Sequence, residues 1–251
     1  MRVYVILPAA GIGTRMSAGM PSSATTAGAV KKPAAKQFLT IGGVPVLIHC
    51  LRAFEAVEQV AEVLVAVRAA EMEQVTALVT RFGLEQKVRV VEGGENRQES
   101  VANALATLTC DDDDVVLVHD AVRPLIDQAT IERTIEAVER HGAAIVGLPA
   151  VDTIKQVERT ADGALVTATI PRERVVLAQT PQGARFGLLK RAFAEARVDE
   201  FAGTDESSVL ERAGIGVWLV MGSARNLKIT QAGDLELAEF YLQRTAADLR
   251  G

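Results

Sequence analysis

Residues 3–16 read VYVILPAAGIGTRM, and this stretch decides the fold. A short apolar run, Val3–Leu7, leads directly into a loop of small residues. In α/β proteins such a loop follows a buried strand, and its backbone N–H groups can approach a phosphate closely. The loop does not fit a dinucleotide-binding motif, because Met16 stands at the third glycine position, and no Walker A Gly-Lys-Ser/Thr follows it. Taken alone, it fits a phosphate-binding loop and a simple tight turn equally well.

Further apolar, β-branched runs recur along the chain and predict strands. With the first, they are Val3–Leu7, Val63–Val67, Val88–Val91, Val115–His119, Ala143–Leu148, Val175–Gln179 and Val217–Val220. Amphipathic stretches with a 3.6-residue period lie between most of them and predict helices. These are Pro45–Val57, Glu71–Phe82, Gln98–Leu108, Ala129–Arg140, Phe186–Ala196 and Asp205–Arg212, followed by a last helix from Asp234 to about Ala247. The alternation predicts a doubly wound α/β domain with a mostly parallel sheet, whose ligands bind beyond the carboxyl ends of the strands.

Local signals mark the helix ends and one departure from this alternation. Asp127 and Thr204 are predicted N-caps, and Gly142 stands where a helix C-terminal glycine belongs. Within residues 153–169, Asp162-Gly163 separates two β-like runs, which predicts a hairpin. Because these runs carry many polar residues, we expect residues 150–172 to form an arm that projects from the core. Such an arm needs a partner to bury its apolar side, and we expect it to serve dimerisation.

The composition is that of one ordinary globular domain spanning residues 1–251. The net charge of −5 argues against general nucleic-acid or membrane-surface binding. Two cysteines exclude a disulfide scaffold, and the first apolar run is too short to span a membrane. We therefore expect a cytoplasmic protein. Residues 17–35 contain no aromatic and no acidic residue, and this composition predicts a flexible loop.

Chemistry-bearing residues cluster in a few short segments. Two cations, Arg15 and Lys36, lie in or near the first loop, and this pairing suits a triphosphate. Residues 118–124, VHDAVRP, place Asp120 at the end of a buried strand. At such a position an aspartate can contact a ligand or simply cap a turn. Residues 91–100, VEGGENRQES, form a polar loop that opens a helix, and read alone they are an ordinary capped helix start.

Together these segments resemble the 2-C-methyl-D-erythritol 4-phosphate cytidylyltransferase family. The resemblance rests on LPAAGxGxRM, KQF, GGExRxxS, HDAVRP, VDTIK, TPQ and NLKIT, in this order over nearly the whole chain. It implies a Rossmann-like nucleotidyltransferase fold. The implied reaction transfers a cytidylyl group from CTP to 2-C-methyl-D-erythritol 4-phosphate, releases pyrophosphate and serves the non-mevalonate route to isoprenoids.

The resemblance also implies roles for individual residues, with Mg²⁺ as the cofactor. Ala9, Ala10, Gly11 and Gly13 would cradle CTP, with Gly94, Glu95 and Ser100 near cytosine and Ala121 near the ribose. Arg15 and Lys36 would stabilise the transition state, and Asp120 would help to place Mg²⁺ or the ribose. Thr153 and Arg172, from the arm of the neighbouring subunit of a homodimer, would hold the polyol phosphate together with Lys228.

Two departures from the family pattern affect these expectations. Nineteen residues separate Met16 from Lys36, so Lys31 and Lys32 compete for the catalytic role. Lys36 is preferred because Gln37 and Phe38 complete its motif. Arg225 stands where an acidic or small residue is expected, which argues against a second carboxylate ligand for the metal there.

Two other functions remain open at this stage. Ribitol 5-phosphate cytidylyltransferase has the same chemistry and a similar fold, and its acceptor differs little from methylerythritol phosphate. A non-catalytic nucleotide sensor on the same scaffold is the second alternative. The presence of both Arg15 and Lys36 argues against a sensor, which need not retain groups that serve a transition state.

Overall fold

A computed structural model describes residues 1–11 and 35–248, and each predicted strand and helix has a counterpart in it. The strands are β1 (Val3–Pro8), β2 (Thr40–Ile41), β3 (Val44–Pro45), β4 (Val60–Val67), β5 (Val88–Glu92), β6 (Val115–Val118), β7 (Ala143–Pro149), β8 (Ile154–Thr160), β9 (Gly163–Ile170), β10 (Val176–Arg185) and β11 (Trp218–Met221). The helices are α1 (Val46–Glu55), α2 (Met72–Arg81), α3 (Arg97–Ala106), α4 (Gln128–His141), α5 (Phe186–Val198), α6 (Glu206–Arg212) and α7 (Ala232–Asp248). The loop predicted at residues 17–35 lies, except for Ala35, outside the described residues.

Seven of the described strands form a central sheet, in the order β11-β7-β10-β6-β1-β4-β5. All neighbours in it are parallel except β10, which runs antiparallel to both β6 and β7. The chain leaves β7 at Pro149 and returns opposite it at Val176 without a crossover helix, and such a return makes the two strands antiparallel. The mostly parallel, doubly wound sheet predicted from the sequence is confirmed.

Two apolar cores lie on opposite faces of this sheet. In β1, Val3, Val5 and Leu7 face a core shared with α1, α2 and α4. Tyr4 and Ile6 face the other core, which is shared with α3, α5 and α6. Side chains of a strand alternate between faces, so a continuous apolar strand requires cover on both sides. This arrangement holds the carboxyl ends of β1, β4, β5 and β6 at one edge.

The helix ends follow the predicted signals with one exception. Asp127 caps α4 by accepting a hydrogen bond from the Thr130 amide at 2.7 Å, and Gly142 ends that helix with φ at +89°. The prediction that Thr204 caps α6 is wrong, because the N-cap is Asp205. The Asp205 carboxylate accepts from the Ser208 amide at 2.9 Å while the Ser208 hydroxyl accepts from the Asp205 amide at 3.3 Å. Because Asp205 and Ser208 form this reciprocal capping box, Thr204 lies one residue before the N-cap.

The predicted hairpin is confirmed. Strands β8 and β9 pair antiparallel from Ile154 opposite Ile170 to Thr160 opposite Gly163, and nearly all their residues are exposed. Val157, Leu165 and Val166 are each more than half exposed. The arm therefore carries apolar side chains that no other described part of the chain covers. No helix in the described part of the chain is both long and apolar enough to cross a membrane.

The sheet is packed too tightly at Gly183 to accept a side chain. A Cβ there would lie 2.5 Å from a methyl group of Leu117 and 2.6 Å from the Val116 carbonyl oxygen. We expect Gly183→Ala to lower the free energy of unfolding by roughly 1–3 kcal/mol, because strand β10 must shift away from β6. Chemical denaturation measures this loss, and Gly216→Ala is the control, since no atom lies within 4 Å of its added Cβ. Equal stability of the two variants would contradict the close packing.

Candidate active site

A cleft opens at the carboxyl edge of the parallel strands, with a cavity volume of about 250 Å³. Its walls come from the loop after β1, the turn at Lys36, the start of α3, the loop after β6 and the segment before α7. Its lining residues are Pro8, Ala9, Ala10, Gly11, Lys36, Gln37, Glu95, Asn96, Arg97, Ser100, Asp120, Ala121, Val122, Lys228, Ile229 and Thr230. This is the edge at which doubly wound sheets bind their ligands.

Two hydrogen bonds to the backbone of Ala9 hold the loop after β1 in place. The Ala9 amide donates to the Ala66 carbonyl oxygen at 2.7 Å, and the Gln37 side chain donates to the Ala9 carbonyl oxygen at 2.8 Å. Gln37 therefore joins the turn that carries Lys36 to this loop. The Lys36 Nζ donates to the Thr230 carbonyl oxygen at 2.6 Å, which places its charge at the cleft wall.

The start of α3 forms a compact polar wall. The Ser100 hydroxyl accepts from the Gly94 amide at 3.0 Å and donates to the Asn96 carbonyl oxygen at 2.8 Å. A Cβ on Gly94 would lie 2.3 Å from Glu99, so the chain needs glycine there. The unpaired backbone N–H groups at the N-terminus of a helix favour anions. The N-terminus of α3, with the short glycine-containing turn before it, lies at the cleft.

A cluster of charges surrounds Asp120, which follows β6. Its Oδ1 lies 3.2 Å from Arg97 Nε, and its Oδ2 lies 2.9 Å from Lys228 Nζ and 3.5 Å from Arg123 Nε. Burial alone raises the pKa of Asp120, but the positive charges of these three residues outweigh it and hold the pKa well below its usual range. Asp120 is therefore ionised at neutral pH and organises the cations of the cleft.

Arg97, which is partly exposed, and the buried Glu206 form an ion pair that the sequence analysis did not single out. The Arg97 Nη1 and Nη2 atoms lie 2.7 and 2.8 Å from the two carboxylate oxygens of Glu206. Burial raises the pKa of Glu206 above its ordinary value, against the opposing effect of the Arg97 charge. A guanidinium in this two-bond geometry nevertheless pairs with an ionised carboxylate. Arg97 stood in the quoted GGExRxxS segment, whereas Glu206 carried no signal beyond its place in a predicted helix.

A second network, which the sequence does not reveal, lies behind the cleft. His119 is fully buried; its Nε2 lies 3.0 Å from the Arg123 carbonyl oxygen and its Nδ1 lies 3.0 Å from the Thr180 hydroxyl. Because a carbonyl can only accept, Nε2 carries the proton and Nδ1 accepts from Thr180. The same hydroxyl accepts from the Asp120 amide at 3.0 Å. A neutral His119 thus helps to fix the backbone of Asp120.

Arg123 and Asn226 extend this network to the segment that carries Lys228. Arg123 Nη1 donates to the Asn226 carbonyl oxygen at 2.7 Å, and the Asn226 side chain donates to the Thr180 carbonyl oxygen at 2.7 Å. Both residues are buried. The HDAVRP, TPQ and NLKIT segments are therefore joined by direct hydrogen bonds, although they are far apart in the sequence.

The burial of His119 predicts a pH-dependent stability. Burial lowers the pKa of His119 to about 4 from an ordinary value near 6.5. Between these values the unfolded chain binds a proton that the folded chain does not, so the free energy of unfolding falls as the pH falls. The loss between pH 7 and pH 5 is about 2 kcal/mol. Urea unfolding at both pH values measures it.

The control for this prediction is a comparison of two histidine variants. We expect His119→Gln to lose most of this pH dependence, because the titrating group is gone. We expect His141→Gln, at an exposed position, to keep the wild-type dependence. The same dependence in His119→Gln and the wild type would contradict the neutral, buried His119.

The cleft brings together most of the site residues named from the sequence. Those that line it are Ala9, Ala10, Gly11, Lys36, Glu95, Ser100, Asp120, Ala121 and Lys228. Gly94 adjoins it through its bond to Ser100. Thr153 and Arg172 lie at the base of the arm, are exposed and do not line the cleft of their own chain. Gly13 and Arg15, with the competing Lys31 and Lys32, lie outside the described residues.

The cleft offers few donors for a metal ion. In the part of the chain that the structure describes, no three His, Cys, Asp or Glu side chains group closely enough to hold one. Mg²⁺ in phosphate-transferring sites is commonly held by one or two carboxylates together with substrate phosphates. Asp120 fits that mode, because it lies in the cleft beside the cations that would face the same phosphates.

Comparisons with known proteins agree with this geometry. The family model described as 2-C-methyl-D-erythritol 4-phosphate cytidylyltransferase matches residues 3–244. A protein of that name from Acidobacterium capsulatum is 64% identical over 247 residues, which are 98% of this chain and 100% of its own length. One from Solibacter usitatus is 50% identical over 98% of both chains.

Solved structures show the same likeness in three dimensions. The crystal structure of the Francisella tularensis 2-C-methyl-D-erythritol 4-phosphate cytidylyltransferase has a TM-score of 0.76 and 32% identity, covering 96% of this chain and 99% of its own. That of the Thermus thermophilus protein has a TM-score of 0.73 and 33% identity, covering 97% and 100%. This chain belongs to the 2-C-methyl-D-erythritol 4-phosphate cytidylyltransferase family, and it is therefore an enzyme of the nucleotidyltransferase class.

Proposed function

We propose that this enzyme transfers the cytidylyl group of CTP to 2-C-methyl-D-erythritol 4-phosphate and releases pyrophosphate. A phosphate oxygen of the acceptor attacks the α-phosphorus of CTP, and the bond from that phosphorus to the leaving pyrophosphate breaks. The product is 4-diphosphocytidyl-2-C-methyl-D-erythritol, a precursor on the non-mevalonate route to isoprenoids. The family membership and the names of the relatives support this choice of substrates.

The observation that carries the proposal is the meeting of a small-residue loop and several cations at one sheet edge. Ala9, Ala10 and Gly11 expose backbone at the cleft, and Lys36 and Lys228 place ammonium groups in its wall. Bringing two anionic substrates together is the main task of such a reaction. Positive groups on the wall reduce the repulsion between the two phosphates.

The reaction needs no protein base. The acceptor phosphate is already ionised at neutral pH and can attack directly. No histidine is among the described residues that line the cleft, and His119 behind it is held neutral by burial. The chain's own groups therefore act by binding, orientation and charge stabilisation.

We assign the transition-state role to Arg15 and Lys36, as the family resemblance implies. An arginine can contact two phosphate oxygens at once, and a lysine supplies a mobile point charge. The bond from Gln37 to Ala9 supports Lys36 over Lys31 and Lys32, because it anchors the KQF turn beside the loop after β1. Gly94, Glu95, Ser100 and Ala121 then face the nucleoside.

We propose Mg²⁺ as the metal, held by Asp120 together with phosphate oxygens of CTP. When bound, it would neutralise charge on those oxygens and help to orient them. Asp120 also keeps Lys228 and Arg123 in place, so this one carboxylate serves both the metal and the cations. We also propose that the enzyme acts in the cytoplasm.

We propose further that two copies of the chain form a dimer through the arm. An isolated two-stranded hairpin is marginally stable in water, so the exposed arm favours a partner. Further exposed apolar side chains lie on β10 and β11, at Leu177, Leu219 and Met221, each at least two-fifths exposed. In such a dimer Thr153 and Arg172 would complete the acceptor site of the other subunit, consistent with their absence from their own cleft.

Pyrophosphate release tests the function. The purified protein with CTP and Mg²⁺ is supplied with 2-C-methyl-D-erythritol 4-phosphate, with ribitol 5-phosphate, or with no acceptor. We expect rapid release with the first acceptor and little in the other two reactions. Preferred use of ribitol 5-phosphate would reassign the acceptor, and CTP turnover without any acceptor would contradict a transferase.

A further inference from the structure

We infer that Glu206 is a positioning residue, which orients the Asp120 carboxylate through the guanidinium of Arg97. Glu206 does not line the cleft, and its side chain is only 1% exposed. Arg97 does line it, and it is the one described residue that contacts both carboxylates. The chain from Glu206 to Asp120 therefore leads from the interior to the cleft.

The division of donors on Arg97 carries this inference. Glu206 occupies both Nη atoms, at 2.7 and 2.8 Å, and leaves Nε for Asp120 at 3.2 Å. The planar guanidinium fixes the angle between its Nη and Nε donors. The position of Glu206 therefore sets the direction from which Arg97 Nε approaches Asp120. A lysine at position 97 could not make the same division, because it has a single nitrogen.

Glu206 is itself rigidly placed. It is the first residue of α6 and lies between Asp205 and Ser208, the two residues of the capping box. The Gln182 side chain ties this turn to β10, because it donates to Asp205 at 2.9 Å and accepts from the Ser207 amide at 2.8 Å. A carboxylate held on such a turn can keep the guanidinium of Arg97 in one orientation.

The consequence reaches Lys228. Arg97 and Lys228 approach different oxygens of Asp120, Oδ1 at 3.2 Å and Oδ2 at 2.9 Å. If Glu206 lost its charge, the Nη atoms of Arg97 would be released to compete for Asp120, and the carboxylate would turn away from Lys228. The ammonium group assigned to the acceptor phosphate would then lose its partner.

A buried ion pair is not in itself evidence of stabilisation. Well-packed apolar residues of similar volume often replace such a pair without loss of stability, because both charges must be removed from water. A purely structural pair would also act on the fold as a whole. The proposed role, in contrast, acts on Asp120 and therefore requires Asp120 to be present.

The first test uses the free enzyme. Glu206→Gln keeps the shape of the side chain and removes its charge, and Glu206→Asp keeps the charge but shortens its reach to Arg97. The rate at which an amine-specific reagent labels Lys228 is followed by mass spectrometry. We expect several-fold faster labelling of Lys228 in both variants, with melting curves that still show a folded protein. If one variant does not fold, the other decides.

The matched control is Asp199→Asn. Asp199 pairs with Arg212, at the other end of α6, at 3.0 Å, and both side chains are nearly half exposed. We expect wild-type labelling of Lys228 in this variant. Unchanged labelling in the folded Glu206 variants would overturn the inference, and this readout does not depend on the proposed function.

The second test is kinetic and rests on the proposed reaction. We expect Glu206→Gln to lower kcat/KM for the acceptor by roughly ten- to a hundred-fold, because a misplaced Asp120 no longer holds Lys228 at the acceptor end of the site. In an Asp120→Asn background the same substitution should have almost no effect, since the group it positions is gone. Equal effects in both backgrounds would show that Glu206 does not act through Asp120.

Discussion

Lys36→Ala is expected to lower kcat by roughly a hundred- to a thousand-fold, while CTP binding weakens far less. The reason is that a charge which stabilises the transition state matters more during transfer than in the ground-state complex. Lys36 lies in the cleft wall, held by the Thr230 carbonyl oxygen at 2.6 Å. Single-turnover kinetics give the rate of transfer, and calorimetric titration with CTP gives the affinity. We expect Arg15→Ala to behave in the same way.

Two neighbouring lysines serve as the control for this experiment. Lys31→Ala and Lys32→Ala remove the same charge from the same segment of the sequence, and we expect less than a few-fold effect from either. A large effect of Lys32→Ala with near-normal activity of Lys36→Ala would mean that the lysine was assigned wrongly. In that case the bond from Gln37 to Ala9 would be structural only.

Mixing two inactive variants is expected to restore activity if the arm completes the partner's site. Arg15→Ala removes a group from a chain's own nucleotide site, and Arg172→Ala removes one from the partner's acceptor site. In a mixed dimer, one site carries both defects and the other carries neither. An equal mixture should therefore regain about a quarter of the wild-type activity, since about half the dimers are mixed and each has one intact site.

Subunit exchange is followed by native mass spectrometry with one variant mass-labelled. The control mixes Arg15→Ala with Lys36→Ala. Both defects then fall in the nucleotide sites of their own chains, so every site in the mixed dimer stays defective. No recovery with Arg172→Ala, despite proven mixed dimers, would show that Arg172 serves its own chain. In the structure Arg172 is exposed and donates to the Val151 carbonyl oxygen at 2.7 Å, so it is not committed to its own cleft.

The fold could be predicted because its signals are local. A continuous apolar strand such as Val3–Leu7 is buried on both faces, and this shows directly in its composition. The hairpin of the arm could be predicted from Asp-Gly between two short runs, because turn geometry also depends on adjacent residues. The cap of α6 was misplaced by one residue, because Thr204 and Asp205 are both good capping residues and only the contact with Ser208 distinguishes them.

The segments that form the cleft were also within reach of the sequence, since residues that follow parallel strands meet at one edge. Asp120 after β6 and Gly11 after β1 are examples. The antiparallel direction of β10 could not be predicted from the sequence, because it depends on where the chain returns from the arm.

The sequence by itself determined which elements form and which motifs lie at the ligand edge, because both depend on neighbouring residues and on strand order. Only the tertiary structure decided how the polar groups are paired. Arg97 and Glu206 are 109 positions apart, and His119 and Thr180 are 61 apart. A hydrogen bond between distant side chains leaves no periodic trace in a sequence. It forms where packing of the two cores brings a donor and an acceptor within about 3 Å, away from competing water.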